Sequence, residues 1–248
     1  MKFLGIIPAR YASTRFPGKP LADMRGKPMI QRVYEQVAHL LDDLIVATDD
    51  ERIVSAVEAF GGAAVLTSPD HRSGTDRCFE AYGKSGRFYD VVLNIQGDEP
   101  FIKPSQIRLL QDCFKENETQ IATLIKPYTG SDDFESLFDP NTPKVIVNSR
   151  QQAIYFSRSV VPYCRGLHHT EWLKNHTYYK HIGLYGYRSE VLKAITALPP
   201  TPLETAESLE QLRWIENGYV LKTAVTTEDT IGIDTPGDLE KALLRYPI

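Results

Sequence analysis

What the chain lacks narrows its function first. No apolar run approaches the roughly 20 residues that a membrane-spanning helix needs, so no span is expected. Only Cys78, Cys113 and Cys164 occur among 248 residues. Three is an odd number without metal-ligand spacing, which argues against a disulfide framework or a zinc site and for free thiols in a reducing compartment. Positive charge is not in surplus: 28 Lys and Arg face 32 Asp and Glu, for a formal charge of −4. A broad nucleic-acid or membrane-binding surface is therefore not expected, and any phosphate binding must come from locally placed cations. The amino terminus shows no charged leader, apolar signal core or small-residue cleavage site, so a cytoplasmic location is expected. No Ser-His-Asp or Cys-His nucleophile set stands out.

What is present starts at the amino terminus. The apolar run Phe3 to Ile7 predicts a buried strand that stops at Pro8, because proline cannot donate to a central ladder. The next helical pattern begins near Met29, so the connection is far longer than an ordinary strand-to-helix loop, and long ordered loops tend to carry function. Arg10, Arg15 and Lys19 lie in it among Ser13, Thr14 and Gly18. Three cations among small residues at a strand's carboxyl end suit a polyanion such as a triphosphate. The stretch matches neither G-x-x-x-x-G-K-[ST] nor G-x-G-x-x-G.

Downstream, Ile30, Val33, Tyr34, Val37 and Leu41 recur at helical spacing, Leu44–Thr48 reads as a strand, and Ile53, Val54, Val57 and Phe60 mark a second helix closed by Gly61-Gly62. A third strand, 63–67, completes an alternation that predicts a mainly parallel sheet with flanking helices. It leads into Ser68-Pro-Asp-His-Arg-Ser-Gly-Thr-Asp-Arg77, where Thr75 is the expected cap of the next helix. Arg72, Ser73 and backbone near Gly74 offer donors and acceptors suited to a base edge, although a plain surface turn accounts for the glycine and threonine equally well.

Val91 to Gln96 reads as a further strand, which Gly97 lets the chain leave sharply, presenting Asp98 and Glu99. A carboxylate there is well placed for Mg²⁺, which takes one or two protein carboxylates and completes its shell with water and substrate phosphates. A helix-capping turn is the alternative. From 120 to 157 the pattern changes to short strands around Ile121–Ile125, Lys144–Asn148 and Ala153–Phe156, with a helical interlude at Asp133–Phe138, and antiparallel additions are expected. His168-His169 falls in a polar stretch read as exposed loop. In Tyr178–Arg188, His181, Tyr185 and Tyr187 share one side under strand periodicity. Helices follow at Val191–Leu198 and Thr205–Asn217, with Glu210 and Gln211 off the stripe formed by Leu209, Leu212 and Ile215. Val220–Thr226 is a strand, and Ile231–Asp234 ends another before a helix capped by Thr235.

Ile7-Pro-Ala-Arg-Tyr-Ala-Ser-Thr-Arg-Phe-Pro-Gly-Lys-Pro-Leu21 resembles the opening signature of the 3-deoxy-manno-octulosonate cytidylyltransferases, and the likeness continues to Asp234. The 71–77 stretch is similar to that family's cytosine-recognising motif, with Asp76 where glutamate is more usual. Gln96-Gly-Asp-Glu-Pro100 is similar to its central motif. The resemblance implies a Rossmann-like α/β nucleotidyltransferase fold over 1–248 as a single domain, with a subregion at about 127–188 making acceptor-sugar and dimer contacts. It implies Pro8, Ala9, Arg10, Ser13, Arg15, Lys19, Arg72, Ser73, Gly74 and Gln96 for the nucleotide, with Lys19, Asp98 and Arg10 catalytic. Asp98 and Asp234 would hold Mg²⁺, and Arg158, His181, Tyr185, Glu210 and Gln211 would hold the acidic sugar. The implied reaction takes CTP and 3-deoxy-D-manno-octulosonate to the CMP-sugar and pyrophosphate, in a homodimer. A cytidylyltransferase for another acidic sugar, a nucleotide-sugar glycosyltransferase and a non-catalytic nucleotide-binding module are the alternatives.

Overall fold

Five apolar residues at the start of the chain form the centre of the first strand, and everything in the candidate site is placed relative to its carboxyl end. In the computed structural model, which describes residues 1–129, 134–229 and 231–246, the strands and helices run in the order β1 (Phe3–Ala9), α1 (Met29–Val37), β2 (Asp43–Thr48), α2 (Glu51–Ala59), β3 (Ala64–Leu66), α3 (Gly74–Lys84), β4 (Val91–Asn94) and α4 (Pro104–Cys113). There follow β5 (Ile121–Pro127), α5 (Phe134–Phe138), β6 (Lys144–Val147), β7 (Ala153–Ser157), α6 (Trp172–Asn175), β8 (Tyr179–Arg188), α7 (Ser189–Thr196), α8 (Pro202–Glu207), α9 (Gln211–Glu216), β9 (Leu221–Val225) and α10 (Pro236–Arg245). The chain divides into two compact units. The first is Met1–Arg108, Gly186–Thr196 and Thr230–Ile248, and the second is Leu109–Tyr185 and Ala197–Asp229. The second unit holds most of the 127–188 stretch together with 109–126 and 197–229.

In the first unit β1 lies between β2 and β4, and β2 carries β3, all parallel. Leu4, Ile6, Ile7, Val46, Ala47, Val91, Val92 and Leu93 are buried, as strands covered on both faces by crossover helices must be. Pro8 does not end β1: it pairs with Ala47 of β2. The reason is register. The Ile95 amide donates to the Ile6 carbonyl, so backbone groups of even-numbered β1 residues face β4, whose ladder with β1 ends at Ile6–Asn94. The missing donor of Pro8 therefore falls beyond the last rung on that side.

Ser73, not Thr75, caps α3, its hydroxyl accepting from the Asp76 amide at 3.1 Å, while Thr75 is buried inside the helix. No strand forms at 231–234 among the described residues. Instead the Ile233 amide donates to the Asp98 carbonyl at 2.9 Å. Ile233 is buried with Met24, Met29, Phe101 and Ala242, so this tether is sealed by apolar packing. Full burial of such a side chain contributes about 1.5–3 kcal/mol. Thr235, the cap read from sequence, and Asp238 then form the reciprocal cap of α10.

The second unit pairs β5 with β9 in parallel and sets β6 antiparallel to both β7 and β8. The antiparallel additions expected after 120 are present, with β5 as a parallel exception. The helical interlude is Phe134–Phe138, and the Asp133 part of that expectation lies outside the described residues. The single helix expected over Thr205–Asn217 is two helices, broken where Ser208 takes φ 51° and ψ 49°. The break turns α9 so that Gln211, off the apolar stripe read from sequence, is buried.

Candidate active site

At the carboxyl ends of β1 and β4 the first unit has an open hollow of about 430 Å³. Pro8, Ala9, Arg10, Ser13, Arg15, Lys19, Arg72, Ser73, Gly74, Gln96 and Asp98 all line it. Every residue expected to bind nucleotide is thus brought to one place. Open parallel sheets bind ligands at strand carboxyl ends because the loops there diverge and leave a crevice.

The cation loop is wound around Tyr11. Its carbonyl accepts from the amides of both Ser13 and Gly18 at 2.9 Å, and its ring lies 3.3 Å beneath the Arg52 guanidinium. Gly18 sits at φ 71°, a conformation glycine adopts without steric cost, and a Cβ there would meet the Tyr11 ring at 3.2 Å. Lys19 follows in a short 3₁₀ turn over Lys19–Leu21. Its Nζ donates to Asp98 Oδ2 at 2.6 Å and reaches Asp234 Oδ1 at 3.5 Å, while Arg15 Nη2 donates to Asp234 Oδ1 at 3.0 Å. Asp98 and Asp234, 136 positions apart in sequence, therefore share one ammonium group.

The donor chemistry fits a hard divalent cation. Two carboxylates converge on a position that a positive charge already occupies, beside further cations suited to phosphate oxygens, and Mg²⁺ is usually held by one or two carboxylates plus substrate phosphates. No cluster of three or more His, Cys, Asp or Glu residues suited to a metal occurs among the described residues. Glu99 is buried, its Oε2 has no partner among the described residues, and burial together with the charge of Asp98 pushes its carboxyl up to about 8. Gly97 is required by proximity and not by an unusual φ, since a Cβ there would lie 3.0 Å from the Pro8 carbonyl oxygen.

Sequence reasoning missed Arg77. It lines the hollow from α3 although its side chain is almost wholly buried, donating to Thr67 Oγ1 at 2.5 Å and to Asp49 Oδ2 at 2.9 Å. The available signal was Asp49 at the end of β2, an acid next to the acidic cap Asp50, which needs a buried cation.

The residues expected to hold an acidic sugar lie in the second unit. His181 Nε2 is 3.0 Å from Thr123 Oγ1, and its ring packs against Phe156 and Tyr185. Burial pushes that imidazole down to about 3, so it is neutral. Tyr185 packs edge-on against Trp214 of α9, and burial, with the Glu210 charge, raises its hydroxyl well above the usual range. Gln211 is buried with Nε2 lacking a partner among the described residues, and Glu210 stands partly buried at the start of α9. Arg158 is engaged otherwise. Its guanidinium donates to the carbonyls of Glu207, Pro140 and Ser208 at 2.6, 2.8 and 3.2 Å. Glu207, also missed, accepts from Ser157 Oγ at 2.6 Å and from the Arg158 amide at 2.8 Å. Nothing in the sequence pattern distinguished it from other helix glutamates.

Comparisons with known proteins identify relatives of the chain. A family model described as Cytidylyltransferase matches residues 4–228. The 3-deoxy-manno-octulosonate cytidylyltransferase of Parabacteroides distasonis is 68% identical over 244 residues, covering 98% of this chain and 97% of that protein. That of Bacteroides thetaiotaomicron is 64% identical over 242 residues, with 98% and 97% covered. A solved CMP:2-keto-3-deoxy-manno-octonic acid synthetase complexed with CTP superposes with a TM-score of 0.90 at 43% identity, covering 99% of this chain and 98% of that one. A cytidylyltransferase from Leptospira borgpetersenii, at 15% identity and TM-score 0.63 with 100% and 89% covered, shares the fold. The chain belongs to the 3-deoxy-manno-octulosonate cytidylyltransferase family.

Proposed function

We propose that the protein transfers CMP from CTP to 3-deoxy-D-manno-octulosonate, releasing pyrophosphate, to supply activated sugar for lipopolysaccharide. The observation that carries this reading is the Lys19 ammonium shared by Asp98 and Asp234 at the rim of a hollow that also gathers Arg10, Arg15 and Arg72. Nucleotidyl transfer needs little covalent help from protein, because alignment for in-line attack and charge neutralisation do most of the work. Arg10, Arg15 and Lys19 bind the triphosphate tail and stabilise the leaving pyrophosphate. Arg72 and Ser73, with backbone near Gly74, address the cytosine edge. Asp98 and Asp234 would hold Mg²⁺, which when bound would supply charge neutralisation at the phosphates. His181, Tyr185, Glu210 and Gln211 hold the sugar, whose anomeric hydroxyl attacks the α-phosphorus. Neutral His181 is suited to donate or accept a hydrogen bond without adding charge beside an acid substrate.

Arg158 enters this scheme as a support of the acceptor loop more readily than as a carboxylate clamp, since its donors are directed at backbone carbonyls. We place the enzyme in the cytoplasm as a homodimer. No helix among the described residues is long and apolar enough to cross a membrane, and exposed Tyr163 and Phe138 offer apolar contact area. Pyrophosphate release across the four ribonucleoside triphosphates, each with a panel of acidic sugars, tests the reading. CTP with 3-deoxy-D-manno-octulosonate is expected to be the best pair, with activity lost in EDTA and restored by Mg²⁺. Preference for another triphosphate, or full activity in EDTA, would refute it. Sedimentation velocity tests the dimer.

A further inference from the structure

The loop between β3 and α3 brings Arg72 and Ser73 to the hollow, and it is held by a polar stripe along α3 that continues past the 71–77 motif to Glu80 and Lys84. Ser73, Arg77, Glu80 and Lys84 recur at intervals of four, three and four, which places them on one helix face. Ser73 caps the helix. Arg77 grips Thr67. Lys84 Nζ donates to the Leu66 carbonyl at 2.7 Å and pairs with Glu80 Oε1 at 2.7 Å. Glu80 Oε2 accepts from the Ser68 amide at 2.9 Å and is bonded to His71 Nε2. One carboxylate thus fixes both the start and the middle of the loop. Burial would push that carboxyl up, but Lys84, the Ser68 amide and His71 outweigh it and hold it at about 2. His71 is not among the residues lining the hollow, and its side chain is bonded to Glu80.

We propose that Glu80 is a positioning residue for nucleotide selection, setting Arg72 and Ser73 through its bonds to the Ser68 amide and His71. Hydrogen bonds to a carboxylate are about twice as strong as neutral ones, so three donors on one Glu define the loop's path. This inference rests on the reading of the hollow as a nucleotide site, and the experiment separates the two. With wild type and Glu80→Ala, kcat/KM is measured for CTP and UTP, together with KM for the sugar. Hydrogen exchange at the 68–73 amides is measured without nucleotide.

Glu80→Ala is expected to raise the KM for CTP about tenfold, to narrow the CTP-to-UTP ratio at least fivefold, and to leave the sugar KM within twofold. The 68–73 amides should exchange faster. Glu80→Gln, which keeps an acceptor for Ser68, should recover part of each effect. A purely structural role would lower the active fraction and leave the nucleotide ratio unchanged, and that result overturns the proposal. So does unchanged exchange at 68–73, whichever triphosphate the enzyme uses. Should wild type prefer a triphosphate other than CTP, the nucleotide assignment fails while the ratio between its two best nucleotides still reports on Glu80. Should Glu80→Ala not fold, His71→Ala removes one bond only and must move the same ratio in the same direction, a wild-type ratio again overturning the proposal.

Discussion

Lys19 Nζ lies 2.6 Å from Asp98 Oδ2, with the lysine side chain 14% and the aspartate 30% exposed. The pair joins the cation loop to the turn after β4, two segments that meet only because β1 and β4 are neighbours. If this contact serves the reaction and not the fold, Lys19→Met and Asp98→Asn should each lower kcat by about 10²–10³, the range for losing one preorganised charge-stabilising group. Thermal midpoints should stay within a few degrees. Pyrophosphate-release kinetics beside thermal melts decide it, and a variant that keeps most of its activity would remove the residue from the machinery.

Gly97→Ala should destabilise the protein by about 1–3 kcal/mol, as overpacking does. The new methyl would press on the Pro8 carbonyl at 3.0 Å and on Ile7 Cγ2 at 3.3 Å. Backbone cannot swing aside as a flexible side chain can, so Asp98, the next residue, should shift and kcat should fall with stability. Urea unfolding read alongside kcat tests both halves.

Arg158→Lys should behave almost as badly as Arg158→Ala. Three guanidinium donors satisfy three carbonyls around the α8 terminus, and a single ammonium cannot reproduce that fork. Both variants should melt earlier, and any rise in the sugar KM should track the lost stability. A Lys variant with wild-type melting and a sugar KM raised tenfold would restore the clamp role.

Stability should decline on acidification through His181. Its folded-state value, about 3, lies below the ordinary 6.5, so the unfolded chain takes up a proton before the folded chain does. The contribution is complete above about 6.5 and is lost as pH falls toward 3, by at most about 1.4 kcal/mol per pH unit. Urea unfolding between pH 7 and 4.5 should show a shallower decline for His181→Gln than for wild type. Parallel curves would rule the histidine out as the source.

The alternation of strands and helices up to Asn94 was readable because apolar periodicity there is undisturbed, and the hollow followed from where loops must leave a parallel sheet. Residues whose position depends on partners far along the chain were less visible. Pro8 reads as a strand end until the register shows its missing donor beyond the last rung. Gln211 lies off the apolar stripe, and its burial follows from the left-handed Ser208, which breaks the helix and turns it inward. Arg77 and Glu80 look like ordinary helix charges, and only the path of the β3–α3 loop gives them their partners. The positions of Asp98 and Asp234 in the sequence do not predict that they share an ammonium, since their meeting is produced by a return of the chain that forms no strand.

That return has a consequence for synthesis on the ribosome. The Ile233 amide bonded to the Asp98 carbonyl is made 135 residues after its partner. A growing chain can gather its cations early, yet the two carboxylates can meet only after residue 234 has been made. Premature termination before that point should leave a product unable to spend nucleotide.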